Sequence, residues 1–238
     1  MMPGDNFDAA IDVMLRTGYR EEFCVAADFD PVFLADMMAA GFLIMSAAFP
    51  SGVSGDAAAD GETAFLLLPK LHLERSVLFW ENLHETKSAR RALTKYELRY
   101  DADFDVILER CAEVHGEEWL TPPLRAGVRA VRDLGRRDVR PVSFGVYRDG
   151  TLRAGEFGVC TGRVYTSYSG YREENSAGTA QLVLTARWLR DQGFAFWDLG
   201  MPLDYKDRLG ARNVEPAEFV RLWRAARSLS TPGPQAGS

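Results

Sequence analysis

The sequence has few cysteines, no long apolar runs and no excess of positive charge. Its three cysteines, Cys24, Cys111 and Cys160, are widely spaced, which predicts neither a disulfide framework nor a metal site. No run approaches the roughly 20 apolar residues that a membrane-spanning helix needs. Residues 1–19 carry three aspartates and lack the basic region that opens a signal peptide. We therefore expect a cytoplasmic protein with no membrane partner.

The charge balance restricts how the chain could bind RNA. It has 34 acidic and 28 basic residues, a net charge of −6. A protein that held RNA over its whole surface would be basic, because neutralising phosphates supplies most nonspecific affinity. An RNA contact would therefore need a local patch, and two basic clusters qualify: Lys87, Arg90, Arg91 and Lys95, and Arg132, Arg136, Arg137 and Arg140. The alternative for both is a solvated helix face.

Apolar periodicity predicts an α+β protein in two parts. Residues 1–96 form a small α/β N-terminal domain with helices at 7–17 and 31–40, a Gly-rich loop at 51–61, strands at 64–68 and 76–80, and a basic helix or turn at 82–95. Residues 97–229 form the main domain, with helices at 104–115 and 122–134, strands at 142–147, 152–160 and 163–169, a helix at 176–192, a strand at 194–199 and a helix at 216–229. Residues 230–238 are predicted to be a disordered tail.

The order of elements in the main domain is typical of an acetyltransferase-like (GNAT) fold. Asp149-Gly150 marks a tight hairpin turn between its first two strands, because this pair tolerates positive φ angles. In such domains the ligand lies where neighbouring strands splay, and the following helix offers N-terminal amides.

Six segments, taken in order, resemble the leucyl/phenylalanyl-tRNA–protein transferases. They are Leu83-His84 with the basic helix, Phe104 to Ala112 followed by Glu118-Trp119-Leu120, Gly155 to Val159, Tyr168 to Ala180, Trp197-Asp198, and Arg208 to Ala211. The match runs from about residue 31 to residue 228. It implies transfer of an amino acid, usually Leu or Phe, from the 3′ end of an aminoacyl-tRNA to a protein N-terminus. Attack of an amine on an ester needs positioning and proton transfer, and the resemblance implies no metal or organic cofactor.

The resemblance also implies roles for individual residues. Trp119 matches a tryptophan that stacks near the tRNA 3′ adenosine, although a core tryptophan is the alternative. Asp198 matches an aspartate at the end of a buried strand, where a carboxylate needs a partner. Trp188 replaces a phenylalanine of the amino-acid pocket. The start of the long helix matches at Asn175, Ser176 and Thr179, residues that would also cap that helix. The basic cluster Lys87, Arg90, Arg91 and Lys95 is the expected tRNA contact.

Three positions depart from the family pattern. Ser167 stands where the family has a glutamate, and Gly200 stands where it has a glutamine. In the family, those two side chains form the hydrogen-bonding pair usually assigned to the catalytic centre. In this chain we assign the catalytic centre to Ser167 and Asp198. Tyr205 replaces a histidine. The chemistry therefore runs differently here, or the protein has another activity.

Glu156 offers a compensating change, since the family has an apolar pocket residue at this position. In a strand, Glu156 shares a face with Gly158 while Phe157 points to the other face. A carboxylate in an apolar pocket is costly unless it meets a cation. We therefore expect Glu156 to recognise a Lys or Arg side chain or an α-amine. The alternative is a solvent-facing glutamate on an edge strand.

Two other functions compete with aminoacyl transfer. A GNAT N-acyltransferase using acyl-CoA would need a Gly-containing pyrophosphate turn, and residues 172–177 lack its central glycine. An inactive module that still binds tRNA or a protein N-terminus is favoured by the loss of the Glu/Gln pair. The three histidines, His72, His84 and His115, are scattered and do not predict a nucleophilic site.

Overall fold

The computed structural model describes residues 1–50, 63–116 and 118–231. The loop predicted at 51–61 and residues 232–238 of the predicted tail lie outside the described residues. The helices are α1 Phe7–Thr17, α2 Pro31–Ala40, α3 Lys87–Leu93, α4 Phe104–His115, α5 Pro122–Asp133, α6 Asn175–Asp191, α7 Asp204–Leu209 and α8 Pro216–Arg227. The strands are β1 Leu43–Pro50, β2 Thr63–Lys70, β3 Arg75–Leu78, β4 Glu97–Tyr100, β5 Val139–Arg148, β6 Thr151–Thr161, β7 Val164–Arg172, β8 Phe196–Gly200 and β9 Arg212–Val214.

The predicted helices and strands all occur, three helices (7–17, 31–40 and 104–115) with the predicted bounds and the others with shifted ends, and four further elements were missed. The missed ones are β1, β4, α7 and β9. The strand predicted at 76–80 ends at Leu78 and gives way to a short 3₁₀ turn, Trp80–Asn82. The Asp149-Gly150 hairpin is confirmed, because both residues have positive φ, 52° and 74°.

The capping predicted at the start of α6 is wrong. The N-cap residue is Glu174, and its side chain makes no capping hydrogen bond. Ser176 Oγ instead lies 2.7 Å from Tyr96 Oη, and the Tyr96 hydroxyl donates to the Glu174 carboxylate. The Thr179 hydroxyl donates back to Asn175 O. The side chains here hold the helix start against the segment after α3 and leave the first amides of α6 without side-chain caps.

The strands form a two-stranded sheet, β1-β2, and a seven-stranded sheet in the order β4-β5-β6-β7-β8-β3-β9. Neighbours in the large sheet are antiparallel except β7 and β8, which are parallel. The chain is thus a mixed α/β protein with one large mixed sheet. Strand β3, from the first 96 residues, lies between β8 and β9, so this part contributes to the main sheet. The division at residue 96 stays a prediction.

Helices cover both faces of the large sheet and enclose two apolar clusters. Alternation along β6 sends Phe157 and Val159 into the cluster beneath α2, α4, α5 and α8. It sends Ala154 and Cys160 into the cluster beneath α6. Cys160 therefore packs in the core. Within the part of the chain that the structure describes, no helix is long and apolar enough to span a membrane.

The sheet splits between its two parallel strands. Strand β7 pairs with β8 only through Val164–Thr166, opposite Phe196–Asp198. A bulge between Phe157 and Gly158 in the β6–β7 pairing shifts the register at the same level. From Ser167 onward β7 pairs with β6 alone, so the sheet is split between β7 and β8 from this residue on.

Candidate functional site in the split of the sheet

Ser167, the first residue of β7 beyond the parallel pairing, joins three strands at the base of the split. Its hydroxyl accepts a hydrogen bond from Trp197 Nε1 at 2.8 Å. It donates one to Glu156 Oε2 at 3.3 Å. Since Trp197 lies on β8 and Glu156 on β6, the structure brings two of the predicted site residues, Ser167 and Glu156, into contact.

Glu156 is buried, with 4% of its surface exposed, on an interior strand. The solvent-facing alternative is therefore wrong. Desolvation raises the pKa of its carboxyl to about 7, while the hydrogen bond from Ser167 and the charge of Lys206 work against that rise. A pKa near neutrality allows the group to change protonation under physiological conditions.

Lys206, on the short helix α7, is the cation whose charge acts on the Glu156 carboxyl. It is 5% exposed, and its ammonium donates to Leu199 O at 2.5 Å and Met201 O at 2.7 Å. Burial lowers its pKa to about 8, while the nearby charges of Asp198 and Glu156 oppose the shift. The side chain thus ties the end of β8 to α7 and places a buried cation beside the split.

Asp198 is fully buried in an ion pair with Arg75 from β3. The pair is bidentate, from Arg75 Nε to Oδ1 at 2.9 Å and from Nη2 to Oδ2 at 2.6 Å. Thr166 Oγ1 and the Gly200 amide donate the carboxylate's other hydrogen bonds. The partner predicted for this carboxylate therefore exists. Asp198 has no exposed surface. Its hydrogen bonds fix the end of β8 at Gly200 and the β7 residue Thr166 beside the split.

Trp119 lies on the face of the sheet opposite α6 and is connected to β7 through β1. The Trp119 carbonyl accepts from the Ser46 amide at 3.0 Å and from the Ser46 hydroxyl at 3.0 Å. Two residues earlier, the Ile44 amide donates to Tyr168 Oη at 3.2 Å. Tyr168 directly follows Ser167, so β1 links Trp119 to β7. The indole is half-buried against the apolar cluster, which leaves part of its surface accessible.

Trp188 lies within an aromatic cluster on the α6 side of the sheet. It stacks on Tyr100 with ring centroids 4.4 Å apart and meets Phe144 edge-on. Phe144 in turn packs on Tyr165, which lies beside Glu156. Trp188 therefore supports the wall behind the carboxyl and does not itself contact it in the structure.

The two basic clusters differ in how their charges are used. Lys87, Arg90, Arg91 and Lys95 are all exposed on or just after α3, which packs on α6. Of these, Arg90 lies 3.6 Å from Glu85, a residue already held by Arg187. In the second cluster, Arg132 pairs with Asp101 and Arg136 with Asp36 and Asp138. The first cluster therefore presents more free positive charge, along the helix α3 that packs on α6.

Sequence reasoning missed the side chains that complete the site. Arg75, Gln181 and Lys206 come from β3, α6 and α7, and only the fold brings them to β7 and β8. Arg75 directly precedes the apolar run 76–80, and a charge that becomes buried there needs partners. Lys206 and Gln181 have no such signal in the sequence. Among the described residues, no group of three or more His, Cys, Asp or Glu side chains forms a metal site.

Comparison with known proteins identifies the family. The family model described as leucyl/phenylalanyl-tRNA protein transferase matches residues 77–224, more than half of the chain. A leucyl/phenylalanyl-tRNA–protein transferase from Pseudomonas entomophila is 32% identical over 163 residues, covering 66% of this chain and 70% of the relative. One from Rubrobacter xylanophilus is 31% identical over 157 residues, covering 65% and 80%. The matched region includes β7, β8 and the start of α6, which together surround the split. The chain belongs to the leucyl/phenylalanyl-tRNA–protein transferase family.

Proposed function

We propose that this protein is an aminoacyl-tRNA-dependent transferase that moves an amino acid from tRNA to a protein N-terminal amine or another primary amine. One observation carries the proposal beyond family membership: a buried carboxyl, Glu156, stands at the split in the sheet, hydrogen-bonded to Ser167. The position that lacks the family's glutamate thus contacts a carboxyl from the neighbouring strand. This argues against an inactive binding module.

The reaction is an aminolysis whose atoms balance within the two substrates. The amine nitrogen forms a bond to the ester carbonyl carbon, and the bond from that carbon to the ribose oxygen breaks. One proton passes from the amine to the leaving ribose oxygen. The reaction takes place without any additional reactant, so the protein's task is to position both ends and to stabilise the oxyanion.

Glu156 is assigned to the amine-bearing group of the aminoacyl donor. A buried carboxyl is costly, and an ammonium at the split would return part of that cost as a charge-assisted hydrogen bond. The group is the donor's α-amine or a Lys or Arg side chain. Asp198 and Ser167 hold the two strands that frame it, and Trp188 backs the wall. Replacing Glu156 with Gln should abolish use of a cationic donor group, and unchanged kinetics would end this assignment.

The acetyltransferase-like architecture is part of the same proposal. Its support is the antiparallel run β5-β6-β7, the split beside β7, and α6 starting directly after β7. The first amides of α6, at Asn175, Ser176 and the following residues, have no side-chain caps and carry the positive end of the helix dipole. Thr179 lies one turn further on. We assign residues 97–229 to this domain and residues 1–96 to the smaller one.

The tRNA is assigned to the side where α3 packs on α6. Lys87, Arg90, Arg91 and Lys95 provide local positive charge on a chain of net charge −6, and phosphate contacts need such charge. Trp119, partly accessible on the other face, is assigned to stack on the unpaired 3′ adenosine. Because charged tRNA is a cytoplasmic substrate, we place the protein in the cytoplasm.

The deciding experiment is transfer from a labelled mixture of charged tRNAs to peptides with varied N-termini. Ribonuclease-treated and acetyl-CoA reactions serve as controls. Ribonuclease-sensitive transfer would support the proposal and identify the amino acid. Ribonuclease-resistant transfer that needs acetyl-CoA would support an acyl-CoA enzyme instead. Absence of transfer together with salt-dependent tRNA binding would favour the binding module.

A further inference from the structure

A cavity lined by both polar and apolar side chains lies at the end of β8, next to the split. Its volume is about 410 Å³, and it is lined by Glu22, Lys70, His72, Leu73, Glu74, Met201 and Pro202. Met201 and Pro202 directly follow Gly200, the last residue of β8. The cavity therefore opens beside the strand whose pairing with β7 ends at Asp198. Its volume falls in the range of sites that hold small organic ligands.

His72 is the buried polar side chain in the wall of this cavity. It is 5% exposed, and among the residues that the structure describes none offers its Nε2 a hydrogen bond. A buried polar atom without a partner costs free energy that a ligand would recover. Nε2 lies 3.8 Å from where a Cβ on Gly200 would be, an ordinary contact distance, so the imidazole lies beside the end of β8.

The chemistry of the walls selects for a hydrogen-bond donor. Glu22 and Glu74 contribute two carboxylates, and the one lining cation, Lys70, is paired with Glu22 at 2.8 Å. His72 Nδ1 faces Glu22 Oε1 at 3.8 Å, which favours the proton on Nδ1 and leaves Nε2 as an acceptor. Burial and the charges of Arg75, Lys70 and Lys206 lower the pKa of His72 to about 2, so the ring stays neutral. Leu73 and Met201 add partly exposed apolar surface.

We propose that this cavity is the acceptor subsite, in which His72 Nε2 accepts a hydrogen bond from the free N-terminal amine of a peptide. The inference rests on the proposed function and deepens it, since it gives the acceptor a place separate from the donor group assigned to Glu156. Gly200 has a φ of +72°, a backbone conformation that L side chains rarely adopt, and as a glycine it leaves the end of β8 beside the imidazole without a side chain. The apolar surface of Leu73 and Met201 contacts the first residue of the peptide.

The test is direct peptide binding to the full-length protein without tRNA. The probe is a hexapeptide with a free N-terminus and a C-terminal fluorophore, followed by fluorescence anisotropy, and its N-acetylated twin is the reference. Wild type should prefer the free amine. His72→Leu should weaken binding of the free-amine peptide about tenfold, equivalent to about 1.4 kcal/mol, and leave the acetylated twin unchanged. His72→Gln, which retains a hydrogen-bond acceptor, should stay within about threefold of wild type, and His84→Leu is the matched histidine control.

Equal wild-type affinity for the two peptides would overturn the proposal, as would unchanged binding by His72→Leu. If His72→Leu does not fold, nitrogen-15 spectra of the three histidines in wild type decide the matter. The free-amine peptide should shift the His72 Nε2 resonance, and absence of a shift would refute the contact. Peptide binding at His72 without aminoacyl transfer would refute the proposed function and leave this inference standing. Transfer with a KM for the peptide that His72→Leu leaves unchanged would sink only this inference.

Discussion

Replacing Arg75 with Met is expected to destabilise the protein by about 3–5 kcal/mol, the cost of leaving a buried charge unpaired. The structure sets the size of the effect. Arg75 and Asp198 have side chains 1% and 0% exposed and share two hydrogen bonds. After the substitution only Thr166 and the Gly200 amide still donate to the Asp198 carboxylate. Neither carries a positive charge, so the carboxylate has lost its ion-pair partner and only the longer-range charge of Lys206 remains.

The measurement is urea unfolding followed by circular dichroism, with Arg110→Met as the matched control. Arg110 forms an ion pair with Glu113 in which both side chains are more than half exposed, and such pairs contribute at most about 1 kcal/mol. The double variant Arg75→Met/Asp198→Asn should recover part of the lost stability, because it also removes the unpaired charge. Equal loss in Arg75→Met and Arg110→Met would refute the reasoning.

Three further predictions concern charge and backbone. Between pH 4.5 and about 7 the Glu156 carboxyl binds more protons in the folded protein than in the unfolded chain, because burial raises its pKa from 4.5 to about 7. Its contribution to stability should therefore fall as pH rises through this window, opposite in sign to that of His72, whose pKa is lowered. Glu156→Gln should lack the Glu156 component in urea unfolding at stepped pH, seen as the difference between the two proteins. Charge reversal of Arg90 and Arg91 to Glu should weaken tRNA binding and reduce the salt slope by about 2, whereas equal weakening by the exposed control Arg137→Glu would contradict a local patch. Gly210→Ala should cost more than about 1 kcal/mol, because its Cβ would lie 1.8 Å from Asn82 O; Gly193→Ala, which has positive φ but open space, should cost less in the same thermal melts.

Local patterns predicted much of the main domain because its elements are long and regular. The alternation along β6 correctly separated Phe157 from Glu156, since residues two apart share a face of a strand. The short strand β4 and the three-residue β9 were missed because three or four residues are too few to show the two-residue alternation of a strand. Strand β1, with the sequence LIMSAAFP, was missed because its apolar residues do not alternate.

The site was harder to predict because its contacts depend on register. The hydrogen bond from Ser167 to Glu156 follows from the bulge between Phe157 and Gly158, and nothing in the local sequence marks that bulge. The family resemblance placed Asp198 correctly at the end of a buried strand, but its partner Arg75 lies 123 residues away. The helix start at Asn175 looked like a cap, yet Tyr96 engages Ser176 instead.

The position of β3 between β8 and β9 has a consequence for biosynthesis. The run β5-β6-β7 consists of hairpin neighbours, whose contacts close short loops and can form as soon as those residues leave the ribosome. Strand β3 is made long before them and must wait for β8 and β9, which raises the contact order of the sheet. Until residue 198 emerges, Arg75 has no counter-ion from β8. The pairing of β8 with β3 and the formation of the split beside β7 therefore occur together. A nascent chain that stalls before β8 has neither the β3–β8 pairing nor the split.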